Sequence, residues 1–171
     1  MKFRYSLALG IPLIGVSAMA SELGIKLEIP RLNVAEYHRP YIAAWLENAD
    51  QSFVTNLAVL YDVKKKDNGG AKWLKDMRQW WRKSGRDLQT PIDGVTGATY
   101  APGEHALNLA GTKSALDKLP AGNYQLVLEA AREAGGRELV RVPFEWPPKS
   151  TQNLSAKGKE ELGAISVQIK P

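Results

Sequence analysis

Apolar and polar side chains alternate with a period of two along most of this chain. Ile25, Leu27 and Ile29 alternate with Lys26 and Glu28, and Val140, Val142, Phe144 and Trp146 alternate with Arg141, Pro143 and Glu145. Tyr124 to Glu129, His105 to Leu109 and Ile165 to Ile169 repeat the pattern. An extended strand turns successive side chains to opposite faces, so this spacing buries one face and wets the other; a helix, repeating every 3.6 residues, cannot use it. Tyr41 to Leu46 and Phe53 to Leu60 are apolar on both faces, as in strands covered from both sides. Together these make seven strand segments. Pro120-Ala121-Gly122-Asn123 precedes one of them, Gly135-Gly136 predicts a tight hairpin between two, and Pro147-Pro148 stops another. The expected fold is all-β: an antiparallel β-sandwich of about seven strands, immunoglobulin-like in outline only because the Cys–Trp–Cys pattern is absent. The polar residues 149–160 are expected to form a flexible stretch.

One segment departs from this period. In residues 71–83, Trp73, Met77, Trp80 and Trp81 recur at helical spacing, with Gly69-Gly70 before and Gly85 after. The spacing predicts an inserted amphipathic helix near 71–83 that docks on the sheet. Trp73 and Met77 are assigned to the core. Trp80 and Trp81, adjacent in sequence, point about 100° apart on a helix, which leaves one of them free for a ligand. Nine of the Lys and Arg residues fall within 64–86, including Lys64-Lys65-Lys66, read as a solvated loop able to steer an anionic partner.

The N-terminus reads as an address. Lys2 and Arg4 precede the short apolar run Leu7 to Val16, and Ala18-Met19-Ala20 places small residues where a signal peptidase cuts. Residues 1–20 are therefore expected to be a cleaved signal peptide, and residues 21–171 a single exported domain in the periplasm. The apolar run is shorter than the ~20 residues that span a bilayer. With 0 Cys there are no disulfides, thiolate metal sites or lipid anchors, and with 2 His a multi-histidine cage is excluded. His38 and His105 are each more economically read as bonded or packed residues than as metal or haem ligands. Export and a modest formal net charge of +5, lowered by two when Lys2 and Arg4 leave, argue against a nucleic-acid partner.

Asp93-Gly94-Val95-Thr96-Gly97-Ala98-Thr99 is the segment with the most chemical content. On its residues alone it has two readings. It is a turn in which Asp93 and Thr96 bond local amides, or an open loop whose glycines let an enzyme approach a hydroxyl. The segment resembles the attachment motif for covalent FMN in exported bacterial electron-transfer proteins: Asp, small, any, Ser/Thr, Gly/Ser, Ala, Ser/Thr. That resemblance implies that a Mg-dependent flavin transferase, using FAD, esterifies the FMN phosphate onto Thr99. Asp93, Gly94, Thr96, Gly97 and Ala98 would then form the recognition frame. Trp80 or Trp81 would cover the flavin ring, and Arg78 or Arg82 would face an anionic group.

A second resemblance spans nearly all of the mature chain. Ile29-Pro30-Arg31-Leu32, His38-Arg39-Pro40-Tyr41-Ile42-Ala43, Arg78-Gln79-Trp80-Trp81-Arg82 and Glu129-Ala130-Ala131-Arg132-Glu133, with Gly135-Gly136-Arg137-Glu138, are similar to the predicted periplasmic family domain of unknown function 2271. Some members are found with membrane PepSY-type reductases and flavin transferases. The resemblances imply an exported flavoprotein that relays electrons in the periplasm, more a carrier than an enzyme with its own substrate. The competing expectation is a non-redox periplasmic binding or assembly module.

Overall fold

The computed structural model describes residues 21–171, and the expected signal peptide lies outside the described residues. The alternating segments form strands, named here β1 (Glu22–Ile29), β2 (Tyr41–Asn48), β3 (Phe53–Tyr61), β4 (Thr96–Ala98), β5 (Gly103–Ala106), β6 (Gly122–Ala131), β7 (Arg137–Trp146), β8 (Gln152–Lys157) and β9 (Ala164–Lys170). They assemble into two sheets, ordered β5-β1-β9-β8 and β4-β3-β2-β6-β7. The all-β sandwich implied by the alternation is what the chain forms. Its interior is filled by one face of each sheet, with Leu27, Ile42, Leu46, Leu128, Ile165 and Ile169 almost wholly buried.

The outer face of the five-stranded sheet is also covered, which explains why β2 and β3 are apolar on both sides. Ala43, Trp45, Val59, Tyr61 and Val127 form a second core beneath the insert, together with its Leu74, Met77 and Trp80. The expected continuous helix over 71–83 is corrected here. Lys66–Asp76 is 3₁₀ in geometry but interrupted at Asp67 and Asn68, Met77 ends it at ψ 74, and an α-helix, α1, runs only from Arg78 to Lys83. Asp67 and Asn68 take positive φ values of 54° and 53°, and a Cβ at Gly70 would stand 2.1 Å from the Asp62 carbonyl oxygen. The segment is thus pressed against the end of β3. The insert buries Leu74, Met77 and Trp80, one from each side of the break and one at it, while Trp73, expected in the core, is 38% exposed.

Two strands lie outside the seven expected. β8 occupies the stretch expected to be flexible and pairs antiparallel with β9 over its whole length. Its alternation is carried by Gln152, Leu154 and Ala156, too weakly apolar to stand out. β4 consists of three small residues and pairs parallel to β3, so the five-stranded sheet has one parallel edge.

The hairpin between β6 and β7 differs from the expected tight turn. Its loop is Arg132 to Gly136, and the residue with positive φ is Ala134, at 54°. Gly135 and Gly136 serve space instead of backbone freedom. A Cβ on Gly135 would lie 2.3 Å from the Arg132 guanidinium carbon, and one on Gly136 would lie 2.8 Å from a Glu161 carboxylate oxygen. Arg132 and Glu161 form a buried two-pronged ion pair at 2.9 and 3.1 Å, and the Gly136 amide donates to the same carboxylate. Glu129, wholly buried, accepts from the Gln79 and Trp80 amides and from Arg137, so the sheet caps the start of α1.

Glu138 does comparable work for the loop before β9. Its carboxylate accepts from the amides of Lys159, Glu160, Glu161 and Leu162. Burial pushes its pKa upward, but these four amides outweigh burial and hold it below the ordinary carboxylate value. The native state therefore binds the Glu138 proton less readily than the unfolded chain. That stabilisation is fully present above the unfolded carboxyl pKa of about 4.3 and is lost as pH falls through the lower native value. Glu138→Gln is expected to lower neutral-pH stability by roughly 1–3 kcal/mol and to flatten the acid limb of the stability curve. Denaturant melts between neutral and acidic pH check this; parallel wild-type and variant curves would refute it.

Candidate functional site

β4 is the edge strand on which the Asp93–Thr99 segment is built. The chain reaches it through a tight turn in which the Val95 and Thr96 amides both donate to the Ile92 carbonyl. The Thr96 hydroxyl closes that turn by accepting from the Ile92 amide at 2.7 Å. Gly94 has φ +68° and packs its backbone on that of Gly111, where a Cβ would come within 2.2 Å of the Gly94 oxygen. Gly97 lies against Leu60, leaving a Cβ only 2.9 Å from that side chain. Thr96, Gly94 and Gly97 thus hold the segment's own shape. Asp93 and Ala98 are exposed.

Thr99 follows β4 where the chain crosses from the five-stranded sheet to β5, the edge of the other sheet. The next residue anchors the crossing. The Tyr100 ring stacks on His105 with centroids 4.4 Å apart and 11° between planes, and the Tyr100 hydroxyl donates to the Ala106 carbonyl. His105 is held in turn by the Ala101 carbonyl oxygen at 2.7 Å. Thr99 itself is half-buried, and no described residue hydrogen-bonds its hydroxyl.

Two clefts meet at Thr99. One, of about 340 Å³, is lined by the segment itself with Ala58, Leu60, Asn108 and Gly111. The other, of about 330 Å³, brings together Tyr37, His38, Arg39, Tyr41, Lys65 and Trp73. His38 stands between two carboxylates, Glu36 at 3.2 Å and Glu133 at 3.9 Å. The Tyr37 hydroxyl is buried without a hydrogen-bond partner. Burial raises its pKa above the ordinary phenol value, more than the nearby Arg132 lowers it. Burial likewise raises Tyr41, whose ring leans on Tyr61 at 6.2 Å.

The aromatic partners expected from the sequence are elsewhere. Trp80 is wholly buried, its Nε1 donating to Asn56 at 2.8 Å, so it has no face to offer a ligand. Trp81 is half-buried against Trp80, Arg78 is exposed, and none of the three lines either cleft at Thr99. The rings beside Thr99 are instead Trp73, Tyr37 and Tyr41. Trp73 was hidden by the assumption of α-helical spacing. The signal that could have found Tyr37 is the polar-aromatic run Tyr37-His38-Arg39 entering β2. No group of three or more His, Cys, Asp and Glu with metal-site geometry occurs among the described residues.

A family model described as "Predicted periplasmic protein (DUF2271)" matches residues 22–164. No curated protein and no solved structure matches the chain. No helix among the described residues is long and apolar enough to cross a membrane.

Proposed function

The chain belongs to the DUF2271 family of predicted periplasmic proteins, and from that premise we propose that it is an exported flavoprotein, with FMN esterified to Thr99, that relays electrons in the periplasm. The observation that carries this is the setting of Thr99. Its hydroxyl ends the Asp93–Thr99 segment, unpartnered among the described residues, between two clefts, on a crossing pinned by the Tyr100–His105 stack. The adjoining cleft sets the cations Arg39 and Lys65 beside the carboxylates Asp62, Asp76 and Glu133, so its fit to a flavin rests on its aromatic walls, Tyr37, Tyr41 and Trp73, and on the Tyr37 hydroxyl that lacks a partner.

Attachment needs a flavin transferase and FAD. The bond from Thr99 Oγ1 to the FMN phosphorus forms, the pyrophosphate P–O bond breaks, AMP leaves, and the hydroxyl proton passes to a base on the transferase. No electron changes hands. The flavin, once bound, supplies one- and two-electron exchange. The chain's part is to tether it, shield one side and set the local charge. Its exposed lysines at 64–66, beside the cleft, favour approach of an anionic partner such as a membrane PepSY-type reductase with an acidic face.

Expression with an active flavin transferase, with export and FAD supplied, is expected to add one FMN to the mature chain, read as a mass increase that survives denaturation. A wild-type chain that stays at its unlabelled mass overturns the reading and leaves a non-redox binding or assembly module in its place.

A further inference from the structure

We infer, on the footing of the flavoprotein reading, that the cleft bordered by Trp73 is the seat of the isoalloxazine, with the Trp73 indole on the flavin face and the Tyr37 hydroxyl donating to its polar edge.

Size does not choose between the clefts at Thr99, since they measure about 330 and 340 Å³. Chemistry does. The cleft on the Gly94–Gly111 side offers main chain, small side chains and one aromatic, Tyr100, already stacked on His105. The other presents Trp73 with 38% of its surface open, on a segment that Gly70 locks against the end of β3. A planar heteroaromatic that covers this indole removes apolar surface from water and gains an offset ring contact.

The second observation is independent of the first. A buried hydroxyl without a partner is an uncommon expense in a folded protein, and Tyr37 is the one buried side-chain polar atom among the described residues in that state. The residue that carries it is one of those lining the same cleft. A phenol is protonated at neutral pH and can donate. The carbonyl oxygens and ring nitrogens of an isoalloxazine are acceptors at the edge of the plane that Trp73 would cover. A planar ring and a row of edge acceptors are thus asked for by different residues of one cleft.

The test uses the full mature chain labelled by a flavin transferase, with FMN content fixed by mass. Trp73→Ala is expected to lower the ratio of stacked to open flavin roughly two- to tenfold, read as a rise in flavin emission at unchanged FMN content. Trp81→Ala, outside both clefts, is expected to leave emission unchanged. Tyr37→Phe is expected to leave the unlabelled protein as stable as wild type, because no bond is lost there, but to shrink the gain in Tm on labelling. Emission from Trp73→Ala equal to wild type overturns the stack, and an undiminished gain in Tyr37→Phe overturns the hydrogen bond. A wild-type chain that takes up no FMN is recognised earlier, by mass, and overturns the flavoprotein reading itself.

Discussion

Thr99→Ala is expected to abolish FMN attachment completely, while Thr99→Ser retains it. The substitution removes the acceptor oxygen and nothing else that the fold uses, since no described residue bonds that hydroxyl. Neighbouring variants separate acceptor from frame. Thr96→Ala keeps the Thr99 hydroxyl but frees the Ile92 amide, loosening the turn that presents β4. Labelling should slow without stopping, and stability should fall by about 1 kcal/mol, as for one hydrogen bond. Asp93 is exposed at the surface. Impaired labelling of Asp93→Ala with an unchanged melt would place its role in recognition by the transferase. Intact mass after denaturation reads all four variants. A labelled Thr99→Ala chain would move the attachment site elsewhere.

Trp80→Ala is expected to cost about 3–5 kcal/mol, the range for deleting a large buried aromatic. Trp80 has no exposed surface, its ring lies within 2.5 Å of where a Gly85 Cβ would be, and its amide is held by Glu129. Losing the indole also leaves Asn56 Oδ1 without its donor under the insert. Trp73→Ala, on the open side of the same segment, should shift stability by less than about 1 kcal/mol. Denaturant midpoints of the two variants, compared at equal m-values, decide this. Equal destabilisation would mean that the insert packs through a different face.

The resemblance to the periplasmic family rests largely on residues that turn out to build the fold. Glu129 caps α1, Arg132 pairs with Glu161, Gly135 and Gly136 make room for that pair, and Glu138 gathers four amides. Buried charges demand specific partners, because an unpaired one is costly. Such residues mark a shared architecture. His38, Arg39 and Tyr41 are the part of the resemblance that reaches the cleft beside Thr99.

Period-two alternation is local, and the chain by itself determined its sandwich: six of the seven segments became strands throughout, and the seventh, read to Leu109, is strand only to Ala106 in β5. The doubly apolar β2 and β3 likewise announced that something would cover the outer face. The Asp93–Thr99 segment was legible for the same reason, since its residue types and order are written in seven consecutive positions. Two strands were not legible. β4 is too short and small to alternate, and β8 alternates with little apolar contrast, so both owe their pairing to neighbours far along the chain. The choice between 3₁₀ and α geometry in the insert was also beyond local reading. It depends on Gly70 seating against Asp62 and on Glu129 capping α1 from the sheet. That choice leaves Trp73 out of the core that its spacing implied, and of the adjacent pair it buries Trp80 and leaves Trp81 the more open. Which rings stand beside Thr99 is therefore a property of tertiary packing: burial is awarded to whichever side chains the contacts across the sheet can cover, and the break at Met77 lets the two halves of the insert choose separately.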